Sequence, residues 1–592
     1  MQKQSKPRLV RSKSKSKAVT LDIRRNALRS IHFLENGVDS KRKNLPYFRI
    51  DFAANPPEFM HAIHFDDPEN IARWYYAIVC AQLVAGSSAG EKLHRSMLKE
   101  VERRLTGPFG FMYTSEYSSQ YSPKAKEPYS WLWGDRSALQ GWVLDWMRVG
   151  SKRERSYFET RIRNMVQGLD EFCVRQGKYI FFPTYTPGIS YKKATGMKLP
   201  EEREEIWDAM YKFNEGVTGT LPPPGDSLGG MIFPLVQWYE ASGDLKALAI
   251  ANGISNTIVD FHTLIDNKVN PVGCMSNNHG TLNAMAGVLA AARHSHDRRH
   301  VAWARMLFEF YWSRCSSSFG WVTENENVNL AHPLERPSCE GCATIDLVCV
   351  AIELAKAGFL ECWDIVERVT RNYMTQAQVT HIGRISLRGV ALNTFNRNFE
   401  KMTLPELRDS RNVAERAVGC MAGWGAPNDI LDPRGRVAMC VQNCCSAHLP
   451  FGLYRVWAHI AEMREGKLRV NLALNHDCKL CHITDFQPFE GRLDIEVKQT
   501  AELLVRLPEW VEKDKVEARV QGLKINARWD DSKRYLELGS LRVGSKVSIL
   551  YPLRQWRVTE WLGGTAYTTE WAGDTVISID PPGKYIPIFN SI

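Results

Sequence analysis

Glu340-Gly341-Cys342-Ala343-Thr344-Ile345-Asp346-Leu347 opens the stretch that decides the fold, and the turn Ala357-Gly358-Phe359 divides it. Ile345, Val348, Ile352 and Leu354 recur at helical spacing before the turn, and a second helical pattern runs from Cys362 to Tyr373 after it. The same arrangement of helix, tight turn and helix returns around Ala241-Ser242-Gly243-Asp244 and His294-Ser295-His296-Asp297. Further helical patterns cover 71–83, 142–147 with the run to 172, 231–239, 282–292 and 301–311. Hairpins spaced by about fifty residues over some four hundred predict a closed toroid of helices rather than several small bundles.

Near residue 468 the period drops from 3.6 to 2. Leu468, Val470 and Leu472 alternate with polar residues, as do Leu493, Ile495 and Val497, then Leu503, Val505 and Leu507. The chain therefore reads as mainly α with a C-terminal β-sandwich: a basic disordered tail over 1–30, a helical toroid over 31–465 and strands over 466–592. Connections at 129–134, 181–187 and 221–230 are rich in aromatics, Pro and Gly, which predicts loops on one face of the toroid. Trp133 in the first of them could stack on a sugar ring or pack into the core.

Composition narrows the classes. The 592 residues are 44% hydrophobic and 24% charged, as in ordinary globular proteins. Of the formal charge of +10, the first 25 residues carry +8, with nine basic side chains against Asp22. The remainder is close to neutral and does not point to nucleic acid. The basic tail holds no apolar run of a secretory leader, and no stretch reaches the ~18 apolar residues of a membrane span. Fourteen cysteines without regular spacing do not form a disulfide framework. A reduced, cytoplasmic protein away from membranes is the expectation.

Those thiols cluster. Glu340 and Cys342 stand at one helix start, and Cys444 and Cys445 precede a second pattern through Leu453, Trp457 and Ile460. If the two starts meet, three thiolates and a carboxylate supply the four ligands that zinc takes, where helix dipoles favour negative charge. A functional zinc site, a structural one and unrelated buried thiols all fit the residues. An acid partner could come from the polar loop 321–327, as Glu324 or Glu326, unless that loop is simply solvated. His279 opens the helix from Leu282 and either faces a cleft or caps the helix. Cys478 and Cys481, flanked by His476 and His482, form a weaker second metal candidate.

At these residues the sequence resembles the β-L-arabinofuranosidase family, glycoside hydrolase family 127, and its relatives. That family carries Glu-Thr-Cys at one helix start and Cys-Cys before another, matched here by Glu340-Gly341-Cys342 and Cys444-Cys445. Arg506-Leu507-Pro508-Glu509-Trp510 is similar to a family strand ending. The resemblance implies an (α/α)6 barrel with β-sandwich structure and hydrolysis of a glycosidic bond with retention. It implies zinc held by Glu340, Cys342, Cys444 and Cys445, with Cys444 as nucleophile. Glu324, sixteen residues before Glu340, takes the acid/base position, and His279 resembles a substrate-contacting histidine. Where the family often has a His and a Glu three residues apart, this chain has Gly230 and Phe233. The reaction type is thus better specified than the sugar. A non-catalytic carbohydrate-binding protein with structural zinc, and a polysaccharide lyase, are the competing readings.

Overall fold

The computed structural model describes residues 20–61, 66–106, 108–113, 130, 132–182, 229–261, 278–324, 334, 337–386, 388, 390, 405–435 and 438–589. Among the described residues, twelve helices of eight residues or more carry the architecture up to residue 457: α1 (Ile23–Asn36), α2 (Ile71–Ala85), α3 (Glu91–Glu102), α4 (Leu132–Arg148), α5 (Lys152–Phe172) and α6 (Ile232–Ser242). They continue with α7 (Leu245–Phe261), α8 (Asn278–Ser295), α9 (Arg298–Arg314), α10 (Gly341–Lys356), α11 (Cys362–Val369) and α12 (Asn443–Trp457).

The pattern of apolar residues sorts these helices. α2, α4, α8 and α10 are buried along nearly their whole length, α2 and α10 as mostly apolar helices and α4 and α8 with polar residues such as Asp135, Arg136, His279 and Asn283 buried among the apolar ones. α5 is amphipathic instead, burying Phe158, Ile162, Met165, Leu169 and Phe172 and exposing the charges between them. The buried helices touch in a closed sequence: α2 packs on α4, α4 on α6, α6 on α8, α8 on α10, α10 on α12, and α12 on α2. Their hairpin partners pack alongside, α5 on α4, α7 on α6, α9 on α8 and α11 on α10.

Two expectations change here. Part of the span read as a disordered tail is helix, because Asp22 caps α1 and Ile23, Ala27, Ile31 and Leu34 form one buried stripe despite the basic flanks. The connection at 129–134 is in part helix, since α4 already begins at Leu132. Residues 183–187 and 221–228 of the other two connections lie outside the described residues.

A small antiparallel sheet had no signal in the sequence, because its strands are too short to show a period. It joins β1 (Arg49–Asp51), β2 (Glu58–Met60), β3 (Arg408–Asp409) and β4 (Cys440–Gln442) in the order β3-β2-β1-β4. From Ala461 onward the chain is strands, in sheets of five, six and three. Arg492–Val497 shows the alternation that built them, with Leu493, Ile495 and Val497 buried and the intervening residues less so.

A buried ion cluster ties these sheets to the helices. Arg506, the arginine of the Arg-Leu-Pro-x-Trp stretch, is fully buried and pairs with Asp364 and Glu367 of α11. Arg371 bridges Glu367 at 3.1 Å and Asp485 at 2.8 Å, and Glu367 also accepts from the Ala473 amide at 3.0 Å. Among the described residues no helix is long and apolar enough to cross a membrane.

Candidate functional site

Local backbone pairing brings the two cysteine half-sites together. β4 pairs with β1 and runs directly into α12. There the Asn443 amide donates to Phe48 O at 2.7 Å, and its side chain donates to Tyr47 O at 2.8 Å. The start of α10 is held by Cys339 N–H to Gly425 O at 2.9 Å and Gly341 N–H to Gly423 O at 3.3 Å. A Cβ at position 341 would stand 2.3 Å from Ala422 O and 3.2 Å from the Cys445 Cβ, so only glycine lets the helices approach this closely.

The result is one sulfur cluster. The Sγ atoms of Cys342, Cys444 and Cys445 lie within 4.8 Å of one another, and all three are free thiols. Cys445 is 3.3 Å from Cys342 and 4.0 Å from Cys444. These distances bracket the about 3.8 Å that separates sulfurs on a tetrahedral zinc with bonds of about 2.3 Å, and soft thiolates are donors that zinc accepts. The Cys342 amide donates to Cys445 Sγ at 3.3 Å, turning the positive end of α10 toward the cluster. Glu340 is buried at the position just before α10, outside the set of three sulfurs.

Glu324 reaches the same neighbourhood through a short ladder. Thr323 bridges Cys339, Glu324 N–H donates to Ser338 O at 2.9 Å, and Glu340 N–H donates to Val322 O at 3.0 Å. Side chains alternate on such a ladder, so Glu324 and Glu340 share a face as diagonal neighbours about 7–8 Å apart. Glu324 is 2% exposed. Glu326 lies outside the described residues.

Around the sulfurs stands a buried network that reading the sequence missed. Arg73 of α2 pairs with Glu69 at 2.8 Å, donates to Cys444 O at 3.4 Å and lies 4.0 Å from Cys342 Sγ. Its other terminal nitrogen is 3.5 Å from His279 Nε2. Asp346 of α10 joins His279 Nδ1 to His448 Nε2, the latter at 2.9 Å, and Tyr76 meets His448 Nδ1 at 2.6 Å. The carboxylate only accepts, which places the His279 proton on Nδ1 and leaves Nε2 to accept from Arg73. Burial pushes His279 down to about 4 against the pull of Asp346, so the ring is neutral at pH 7. The missed signals were charges inside apolar helices, Arg73 and Asp346, and His448 one turn after Cys444.

The three thiols are unequal. Cys342 and Cys445 are fully buried, whereas Cys444 retains accessible surface. Hydrogen bonds from the other two thiols, with Arg73 nearby, hold Cys444 well below the usual thiol range. Burial pushes Cys342 and Cys445 up.

Trp133 does not present a free face. It is 6% exposed on α4, with the Arg136 guanidinium 3.5 Å above its ring centroid and His279 edge-on at 4.9 Å. Phe233 packs under Arg455 at 4.3 Å and against Phe451. Among the described residues, the groups able to hold a metal are the three thiols and His279, Asp346 and His448; Cys478 and Cys481 belong to neither.

No protein-family model and no curated protein match this chain. Solved structures do, and what they share with this chain is a helical fold followed by sheets. A GH127 β-L-arabinofuranosidase from Geobacillus stearothermophilus T6 is similar over 93% of this chain and 80% of its own, with a TM-score of 0.56 and 14% identity. A second GH127 β-arabinofuranosidase gives the same values. Another structure, described as a glycoside hydrolase, covers 94% and 81% at a TM-score of 0.55 and 11% identity. At such identities the likeness is one of fold.

Proposed function

We propose that this chain is a zinc-dependent retaining glycoside hydrolase acting on an arabinofuranoside-like or related small glycoside. The closed sequence of buried helices supports an (α/α)6 barrel over 31–465, and the sheets support a β-sandwich over 466–592. One observation carries the activity: three thiols from two helix starts meet in one buried cluster, and the member with accessible surface is Cys444. Cys342, Cys444, Cys445 and Glu340 would hold the metal. Bound there, zinc would keep the thiolates deprotonated at neutral pH.

The protein groups then divide the work. Cys444 Sγ attacks the anomeric carbon as the glycosidic C–O bond breaks, and Glu324 gives its proton to the departing oxygen. In the second half, Glu324 takes a proton from water, whose oxygen displaces the sulfur. Two inversions at one carbon leave its configuration retained. Neutral His279, its two ring nitrogens engaged by Asp346 and Arg73, would border the sugar without adding charge. A cytoplasmic location would keep the thiols reduced.

Metal analysis combined with a panel of aryl pentofuranosides and pyranosides tests this reading. Stoichiometric zinc and turnover that vanishes in Cys444→Ala are expected. Protein lacking zinc, or unchanged turnover in Cys444→Ala, sinks it. Zinc and sugar binding without turnover favour the carbohydrate-binding alternative, and an ultraviolet-absorbing unsaturated product favours a lyase.

A further inference from the structure

Cys478-Lys479-Leu480-Cys481 takes no part in the site described above. It forms the tip of a tight hairpin between the strands His476–Asp477 and Cys481–Asp485, in which His476 stands opposite Ile483 and Asp477 opposite His482. The same register sets Cys478 opposite Cys481, and the Cys478 amide donates to Cys481 O at 3.0 Å. Residues paired in this way share a face, with Cα atoms about 5.5 Å apart. A disulfide needs about 4.4–6.8 Å, so the pair can close without moving the backbone. Strand alternation sends His482 to the opposite face, where its Nδ1 meets Asp477 at 3.2 Å. That leaves one histidine, His476, beside Cys478, and among the described residues the two thiols and His476 are not a group of converging metal donors.

The two thiols are unequal. Cys478 keeps accessible surface, while Cys481 is fully buried. The Leu480 amide donates to the Cys478 sulfur at 3.4 Å. A hydrogen bond from the Cys481 thiol draws Cys478 down to about 4, and the same bond pushes Cys481 up. An accessible sulfur favoured as thiolate beside a buried thiol suits one cysteine to attack and the other to resolve. A ring closed over two residues gains little from restricting the unfolded chain, so the bond formed here serves as a reversible link more than as a staple.

We propose that Cys478 and Cys481 form a redox-active dithiol that exchanges with small disulfides of the glutathione type. Cys478 Sγ attacks one sulfur of the disulfide, whose S–S bond breaks, and the thiolate released takes up the proton that Cys478 had given to solvent. Cys481 Sγ then attacks Cys478 Sγ, and its proton goes to the second departing sulfur. The pair loses two electrons and the small disulfide is reduced to two thiols. Differential alkylation with peptide mass mapping of the full chain, in glutathione buffers of graded redox ratio, tests this. The peptide holding both cysteines should pass reversibly between a doubly alkylated form and an unalkylated one that is two hydrogens lighter. Cys481→Ser should stop at a mixed disulfide on Cys478, and Cys478→Ser should give no linked product. In the unsubstituted chain at pH 6, Cys478 should react with iodoacetamide at least about tenfold faster than Cys173, a half-buried thiol that burial pushes up. A pair that stays fully alkylatable in excess glutathione disulfide, a Cys478 no faster than Cys173, or a bound zinc ion lost in Cys478→Ser overturns the proposal. Mapping by peptide separates these outcomes from oxidation of Cys342, Cys444 and Cys445, so this reading and the hydrolase reading fail independently.

Discussion

The thiol cluster at the starts of α10 and α12 and the ion cluster where α11 meets the sheets are both buried, but their groups touch different things. At the junction opposite charges meet: Arg506 and Arg371 contact Asp364, Glu367 and Asp485. In the site like meets like, three sulfurs gathered within 4.8 Å. A cluster of opposites is complete without a ligand and serves to join parts. A cluster of like donors gains most from a cation, so its placement speaks of chemistry more than of stability.

Substitutions should separate the two. Cys444→Ala is expected to lower turnover by about 10⁴-fold or more while thermal unfolding of the zinc-free protein shifts little, read by single-turnover assays and calorimetry. Arg506→Met should cost about 3–5 kcal/mol in denaturant titration, because it leaves Asp364 and Glu367 buried without their partner. If Arg506→Met instead spared stability and abolished turnover, the division between joining and chemistry would fail.

Smaller effects sharpen the contrast. His279 has a folded-state pKa of about 4, below its unfolded value near 6.5, so the unfolded chain binds the extra proton between them. Stability should therefore fall as pH drops from about 6.5 to 4, by on the order of 3 kcal/mol, and flatten below that. His279→Gln should remove much of that slope in unfolding measured across pH. Gly341→Ala should cost about 1–3 kcal/mol by forcing Ala422 away, and zinc affinity measured with a competing chelator should weaken alongside it. Weakened stability with unchanged zinc affinity would show that the glycine serves packing alone.

Much of the fold was legible because it rests on period. The helices at 71–83, 282–292 and 301–311, and the alternation from Leu468 onward, reappear as α2, α8, α9 and the sheets. Strands of two or three residues, such as β1 and β4, carry no period and were invisible, although β4 sets the Cys444–Cys445 pair in place. Of the site, the cysteines were legible as a donor set split between two helix starts. Their surroundings were not, because Arg73, Arg136 and Asp346 acquire meaning only when helices distant in sequence pack together. Trp133 is the converse case: sequence left stacking on a sugar and packing in the core both open, and the ring is buried with Arg136 over its face.

The pairing of β4 with β1 has a consequence for the order in which the protein is made. Strand β1 at residues 49–51 leaves the ribosome long before α10, and α10 about a hundred residues before Cys445. Neither half-site can close around an ion alone, and the second is seated only by a strand that has waited for nearly four hundred residues. Metal capture is then a late event that reports the completed set of helices. A product stalled before Cys444 would carry loose thiols and no zinc, distinguishable by thiol labelling from one that has passed α12.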